Sequence, residues 1–320
     1  MDLDYRNIKI DKTKIDYLFN EGKAKIYIKR DDLIGFSFGG NKVRIAAEIF
    51  EEIRRKGYTA VISYGSYASN LNRVIAQMAC YYGIKCYIVC KQEKDFRTTA
   101  NMKLAEYSGA EYIYCDVLGV RESIEKAIRI SESRGERPYY VYGNSLGEGN
   151  EEVLLRAYKK AYNEIKNYSD KNEIHFDSIY LASGTGMTQA GLIAGRYENK
   201  GKEEIRGISV ARKAVEAKKA IVRNLVNGKI FEASDIEMLN PLEMIKVNDL
   251  YLDGGYGFYG EGIADTVKMM VSRFGIALDP VYSGKAFYGM LSEIRKNDLE
   301  GSFLFIHTGG MPGFFDFMLK

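Results

Sequence analysis

The sequence predicts an α/β fold in two domains, each built on a parallel sheet. Three observations carry this reading: the chain length, the alternation of short β-rich runs with amphipathic helical stretches, and glycine-rich turns at the ends of several runs. A chain of 320 residues with 46% hydrophobic content has material for one large core or two modest ones.

In chain order, the runs TAVISYG (59–65), KCYIVCK (85–91), AEYIYCD (110–116) and YYVYG (139–143) read as strands. They are separated by helical stretches such as SNLNRVIAQMACYYG, which makes a small βαβ domain. After the helix EEVLLRAYKKAYNEIKNY come FDSIYLASG (176–184), a helix, EIRGISVA (204–211), a further helix and SFLFIHTGG (302–310), a larger α/β domain. There is no internal repeat and no Pro-rich linker, so the boundary is expected in ordinary short loops.

Charge and cysteine usage narrow the function classes. Lys and Arg number 46 against 43 Asp and Glu, a net charge of +3, with no basic block or aromatic-studded basic stripe. Nucleic acid is thereby disfavoured as a partner. The start, MDLDYRNIKIDKTKIDYLF, lacks the apolar core of a signal peptide, and no run is long enough to cross a bilayer, which points to the cytosol. Cys80, Cys86, Cys90 and Cys115 form no Cys-x-x-Cys pair, and His175 and His307 are distant in sequence. Reduced, mostly buried thiols are expected, with no metal site.

Four stretches are candidates for chemistry. In FSFGGNKVR (36–44), Lys42 follows two glycines and Asn41. Alone, this reads as a turn with Asn41 capping a helix and Lys42 in water. In SYGSYASNLNR (63–73), a strand ends and a helix begins among short donors, where open α/β sheets bind ligands and the helix dipole would hold a carboxylate. Ser69 or Asn70 could equally be an N-cap. SGTGMTQAG (183–191) gathers backbone N–H groups at a helix N-terminus and suits a phosphate. Its spacing misses G-x-G-x-x-G, and Thr185 and Thr188 favour a lone phosphate monoester over a dinucleotide; a structural turn is the alternative. FIHTGGMPGFF (305–315) ends a strand in a Thr-Gly-Gly turn that lets backbone approach a flat ligand, with His307 read as structural. Together, in this order, the four suggest pyridoxal phosphate.

The blocks KRDDLIGFSFGGNKVR (29–44), SNLNR (69–73), GTGMTQAGL (184–192), LDPVYSGKAFYGML (278–291) and HTGGMPGFF (307–315) resemble the D-cysteine desulfhydrase and 1-aminocyclopropane-1-carboxylate deaminase family. That family belongs to fold type II of the pyridoxal-phosphate enzymes, the tryptophan synthase β superfamily. The resemblance covers most of the chain. It implies two open twisted parallel-sheet domains with the cofactor between them, the larger over 1–45 and 155–320 and the smaller over 46–154. It further implies a homodimer with a small amino-acid substrate.

The resemblance also assigns roles. Lys42 forms the Schiff base and serves as base at the substrate α-carbon, its desolvated amine losing a proton readily. Asn70 lies near the ring's phenolic oxygen or the substrate carboxylate, with Ser69 beside it. Thr185, Gly186, Met187 and Thr188 hold the phosphate, Ser283 faces the pyridine nitrogen, and Thr308 lies at the cofactor. Tyr256 and Tyr282 match tyrosines that face substrate, against a structural alternative of buried rings. Lys285 is the rival lysine, set aside because the family uses the earlier one. Arg44 and Arg73 are expected to support loops or meet solvent.

Ser283 stands where the ring-opening deaminase has a glutamate, which favours β-elimination. Leu71 and Tyr67 depart from the family's SNQ or SNH and GGVQ patterns and point to an altered pocket. The resemblance implies α,β-elimination from D-cysteine to pyruvate, ammonia and sulfide. The alternatives are deamination of the cyclopropane amino acid, β-replacement of the cysteine synthase type, and a ligand-binding relative without catalysis.

Overall fold

A hairpin that the sequence reading did not anticipate opens the larger sheet. Ile15–Glu21 (β1) pairs antiparallel with Ala24–Lys29 (β2), turning at Gly22, whose φ is +57°. Charged residues interrupt its apolar runs, and β1 is an edge strand with mixed burial, so its hydrophobic signal is weak. The computed structural model describes residue 8, residue 10 and residues 12–91, 98–115, 119–231 and 244–319.

The remaining elements follow in order. Asn41–Lys56 (α1), Ala60–Tyr64 (β3), Asn70–Tyr82 (α2), Lys85–Lys91 (β4), Ala100–Tyr107 (α3), Glu111–Cys115 (β5), Gly119–Ser133 (α4) and Pro138–Tyr140 (β6) alternate strictly. Glu151–Asn172 (α5) leads to Ser178–Ser183 (β7), Met187–Glu198 (α6), Glu204–Ser209 (β8) and Ala214–Asn227 (α7). Lys246–Asn248 (β9), Glu261–Phe274 (α8), Ser283–Lys296 (α9), Gly301–Ile306 (β10) and Met311–Met318 (α10) complete the described chain.

Two compact units result, one of Met1–Ile10 with Lys42–Val153, the other of Asp11–Asn41 with Leu154–Lys320. The first carries the sheet β5-β4-β3-β6, parallel throughout. The expected strand at 139–143 stops at Tyr140, because Gly143 takes φ +99° and its N–H closes a turn onto the Tyr140 carbonyl at 3.0 Å. The second unit carries β1-β2-β10-β7-β8-β9, parallel except for the opening hairpin. The short strand β9 is also additional to the sequence reading.

The sheet of the second unit is buried as its apolar runs require. All six residues of β7 are buried. In α9, Ala286, Phe287, Met290, Leu291 and Ile294 form one stripe in the core with Ile208, Phe303 and Phe305. Each large member of that stripe contributes about 1.5–3 kcal/mol by leaving water. This anchoring holds the start of α9, and with it Tyr282 and Ser283, against the sheet. Among the described residues no helix is long and apolar enough to cross a membrane.

Candidate active site

The approach to Lys42 is strained backbone. Ser37, Phe38, Gly39 and Gly40 all have positive φ, at 48°, 59°, 67° and 98°. Ser37 and Phe38 each cost about 1–2 kcal/mol in this left-handed turn, which persists only if its surroundings over-determine it. Those surroundings are specific. Gly40 N–H donates to the Asp31 carbonyl at 2.7 Å and Asn41 N–H to the Thr308 carbonyl at 3.0 Å. A Cβ on Gly40 would stand 2.6 Å from the Thr308 oxygen, so only glycine allows the approach.

Asn41 does something other than the expected capping of α1: its side-chain amide donates to the Thr188 hydroxyl at 2.9 Å. The loop before Lys42 is thereby tied to both the Thr-Gly-Gly turn and the phosphate-type loop. Lys42 itself is partly buried, and desolvation lowers its pKa to about 8. Its neutral amine is therefore far more accessible than that of an ordinary lysine.

The glycine loop after β7 has the form of an anion cradle. Gly186 caps α6 in the left-handed region at φ +83°, and a Cβ there would meet Ile221 at 2.6 Å. Arg212 donates to the Gly184 carbonyl and Asn224 to the Thr185 carbonyl, both at 3.3 Å. With carbonyls held from behind, the amides of Met187, Thr188 and Gln189 open the helix, where no intrahelical acceptor exists for them. Ser183 Oγ is buried at the same loop and has no partner among the described residues. Amides, hydroxyls and a helix N-terminus are the donor set that a phosphate monoester requires, so these residues fit the phosphate of the cofactor.

Thr308 is buried in the turn that follows β10. Next to it, His307 is buried, accepts Gly309 N–H at Nδ1 (3.2 Å) and faces the Ala277 carbonyl with Nε2 at 3.0 Å. A carbonyl can only accept, so Nε2 carries the proton; burial lowers the pKa and keeps the ring neutral. The histidine shapes the Thr-Gly-Gly turn, in line with its structural reading.

Ser283 begins α9 and is fully buried. Its hydroxyl donates to Asp279 Oδ1 at 2.7 Å and accepts Asp279 N–H at 2.9 Å. Asp279 also accepts the N–H groups of Val281, Tyr282 and Ser283. Burial raises the Asp279 pKa against the opposing pull of the Ser283 and Tyr282 donors. The Ser283 proton is thus directed at its own turn, leaving one lone pair of its oxygen for anything else.

Tyr256 and Tyr282 are brought together, hydroxyl to hydroxyl at 2.6 Å. Tyr256 is 45% exposed, so the buried-ring alternative does not describe it. Lys285 is fully buried and donates to the Leu252 and Gly255 carbonyls at 2.9 and 3.4 Å, pinning the loop that carries Tyr256. The sequence reading set Lys285 aside without seeing this function. Its only local signal was a lysine inside an otherwise apolar helix start.

In the first unit, Ser69 is the N-cap of α2, its hydroxyl accepting Asn72 N–H at 3.3 Å. Asn70 accepts the side-chain amide of Asn101 at 3.1 Å, and that amide also donates to the Ala68 carbonyl. Asn101 thus orients Asn70, a role the sequence reading missed. Leu71 is buried, and the Tyr67 carbonyl accepts the Thr99 hydroxyl at 3.2 Å. Arg44 and Arg73 are buried as well, so neither meets solvent as one alternative held. Phe50 and Arg54 stack on Tyr82 at the end of α2, so α1 runs beside α2 and brings Lys42 toward the carboxyl edge of this sheet.

Residues 9–309 match the family described as pyridoxal-phosphate dependent enzyme. A protein of Pyrococcus horikoshii with the provisional name 1-aminocyclopropane-1-carboxylate deaminase is 32% identical, covering 95% of this chain and 91% of the relative. A protein of Yersinia pestis named D-cysteine desulfhydrase is 31% identical, covering 94% of this chain and 89% of the relative. A crystal structure described as an ACC deaminase homologue superposes with a TM-score of 0.81 at 30% identity, covering 98% of this chain and 94% of that one.

Proposed function

The chain belongs to the pyridoxal-phosphate dependent enzymes, and from that premise we propose that it is a lyase acting by α,β-elimination on D-cysteine. With one water consumed, the products are pyruvate, ammonia and hydrogen sulfide. When bound, pyridoxal phosphate supplies an electron sink for bonds breaking at the substrate α-carbon. The observation that carries the reading is the strained loop that delivers Lys42, a lysine with its pKa lowered to about 8, directly after an asparagine bonded to Thr188 of the anion cradle.

Thr185, Gly186, Met187 and Thr188 would hold the phosphate through backbone N–H groups and hydroxyls, and Lys42 Nζ would hold the cofactor covalently. Once released by substrate, the neutral Lys42 amine takes the α-proton. Asn70, held by Asn101, would orient the ring oxygen or the substrate carboxylate, with Ser69 beside it through the helix it caps. The Tyr256–Tyr282 pair presents hydroxyls to substrate. Ser283 and Thr308 would border the ring. The family resemblance supports a homodimer, and the reading includes a cytoplasmic location.

The test is a visible absorption spectrum with pyruvate detection, on addition of D-cysteine, L-cysteine, D-serine or the cyclopropane amino acid. A cofactor band that responds to D-cysteine with pyruvate released, and that Lys42→Ala abolishes together with turnover, is expected. A response to the cyclopropane amino acid alone would transfer the assignment to ring opening. Protein that stays colourless with added pyridoxal phosphate would end the enzyme reading.

A further inference from the structure

The contacts of Asn101 settle which end of the Asn70 amide a ligand can meet. Asn101 lies in the first turn of α3, 4% exposed, and its Nδ2 donates to the Ala68 carbonyl at 2.8 Å and to Asn70 Oδ1 at 3.1 Å. A backbone carbonyl can only accept, so the Asn101 atom facing Ala68 is the nitrogen. That same nitrogen, a donor only, also faces Asn70, so the Asn70 atom opposite it is the oxygen. Asn70 is left with Nδ2, which donates and cannot accept.

The loop that leads into Asn70 is held in the same manner. Asn72 Nδ2 donates to the Ser66 carbonyl at 3.3 Å, and the Ser63 hydroxyl donates to Asn72 Oδ1 at 2.7 Å, fixing that amide in turn. The Thr99 hydroxyl accepts Met102 N–H at 3.3 Å as the cap of α3, and gives its own proton to the Tyr67 carbonyl at 3.2 Å. Three successive carbonyls, of Ser66, Tyr67 and Ala68, are therefore each tied to a side chain, two of them from the start of α3. Asn101 holds this position at a cost to stability: its Oδ1 is buried with no partner among the described residues. Turning the amide over would set that oxygen against the oxygens of Ala68 and Asn70, so the orphan is what the contact with Asn70 requires. A side chain serving the core alone would be better apolar.

We propose that Asn101, supported by Thr99, is a positioning residue that fixes Asn70 as a pure hydrogen-bond donor, so that the ligand atom opposite Asn70 is an oxygen carrying no proton. The identity of the ligand rests on the lyase reading above. Under that reading the oxygen is either the deprotonated ring oxygen of the cofactor or a carboxylate oxygen of the substrate.

Absorption spectroscopy of the cofactor-loaded protein separates these two sources without turnover. If Asn70 meets the ring oxygen, Asn101→Leu is expected to move the ratio of the visible to the near-ultraviolet cofactor band about tenfold at fixed pH, with no amino acid present. If it meets the carboxylate, that ratio holds and the Kd of glycine, which has no β-substituent to lose, rises about tenfold as read from the band. Asn101→Ala should give the same result, and serves where the leucine variant does not fold. In either case the effect is expected to vanish in an Asn70→Ala background, because a residue that acts through another then has nothing left to position. Variants that move neither reading, or move one equally with and without Asn70, overturn the proposal and leave Asn101 a part of the fold alone. A shift that depends on Asn70, with no pyruvate from any amino acid, keeps the positioning role and overturns the lyase reading. Unsubstituted protein that stays colourless with added pyridoxal phosphate overturns both.

Discussion

At the residue scale, Lys42 shows how environment converts an ordinary side chain into a reactive one. Its pKa is lowered from 10.5 to about 8 because burial disfavours the ammonium, so at pH 7 roughly a tenth of the amine is neutral against well under a thousandth for an exposed lysine. Capture of pyridoxal phosphate needs the neutral form. Mixed with cofactor-stripped protein, it should develop its visible band about tenfold faster per pH unit from 6 to 7, with the rise levelling above pH 8. A rise that continues undiminished to pH 10 would place the amine in water. Lys42 and its two preceding glycines were legible in the sequence as a motif. The left-handed turn through Ser37 and Phe38 was not, since neither residue type signals positive φ.

At the element scale, loops are held by buried cations and polar side chains from distant elements. Lys285 on α9 satisfies two carbonyls of the segment that carries Tyr256. Lys285→Met is expected to loosen that segment without touching the chemistry, raising KM about tenfold while kcat stays within about twofold, because a buried hydrogen bond to a charged donor contributes roughly 1.5–3 kcal/mol. A fall in kcat with unchanged KM would give Lys285 a direct part in the reaction. The parallel strands β3 to β8 and β10 were legible because each is a short apolar run bounded by turn residues, whereas β9 has only three residues. The hairpin β1–β2 was not, since its burial depends on β10 pairing beside β2 from more than 270 residues away.

At the scale of the whole molecule, a buried ionic network underlies the lysine loop within the second unit. Lys29 is fully buried, with Nζ 2.6 Å from Thr13 Oγ1, 2.5 Å from Glu164 Oε2 and 3.8 Å from Asp31 Oδ1. Asp31 also accepts the hydroxyls of Thr13 and Tyr158, and its carbonyl accepts Gly40 N–H. Lys29→Met would leave two carboxylates without their cation and should cost about 3–5 kcal/mol in urea unfolding, since breaking a buried pair is worse than never having one. A loss below about 1 kcal/mol would mean that water reaches the network and screens it.

The sequence by itself determined the parallel α/β class and marked the glycine loop after β7, the Thr-Gly-Gly turn and the double glycine before Lys42. These rest on local chemistry: apolar periodicity, the backbone freedom of glycine, and orphan amides at a helix start. Only the tertiary structure decided that Asn41 reaches Thr188 rather than capping its own helix. It alone turned the Ser283 proton toward Asp279 and set Lys285 under the Tyr256 loop. Burial and partnership are properties of residues far apart in the chain, and no local pattern encodes which of them will meet.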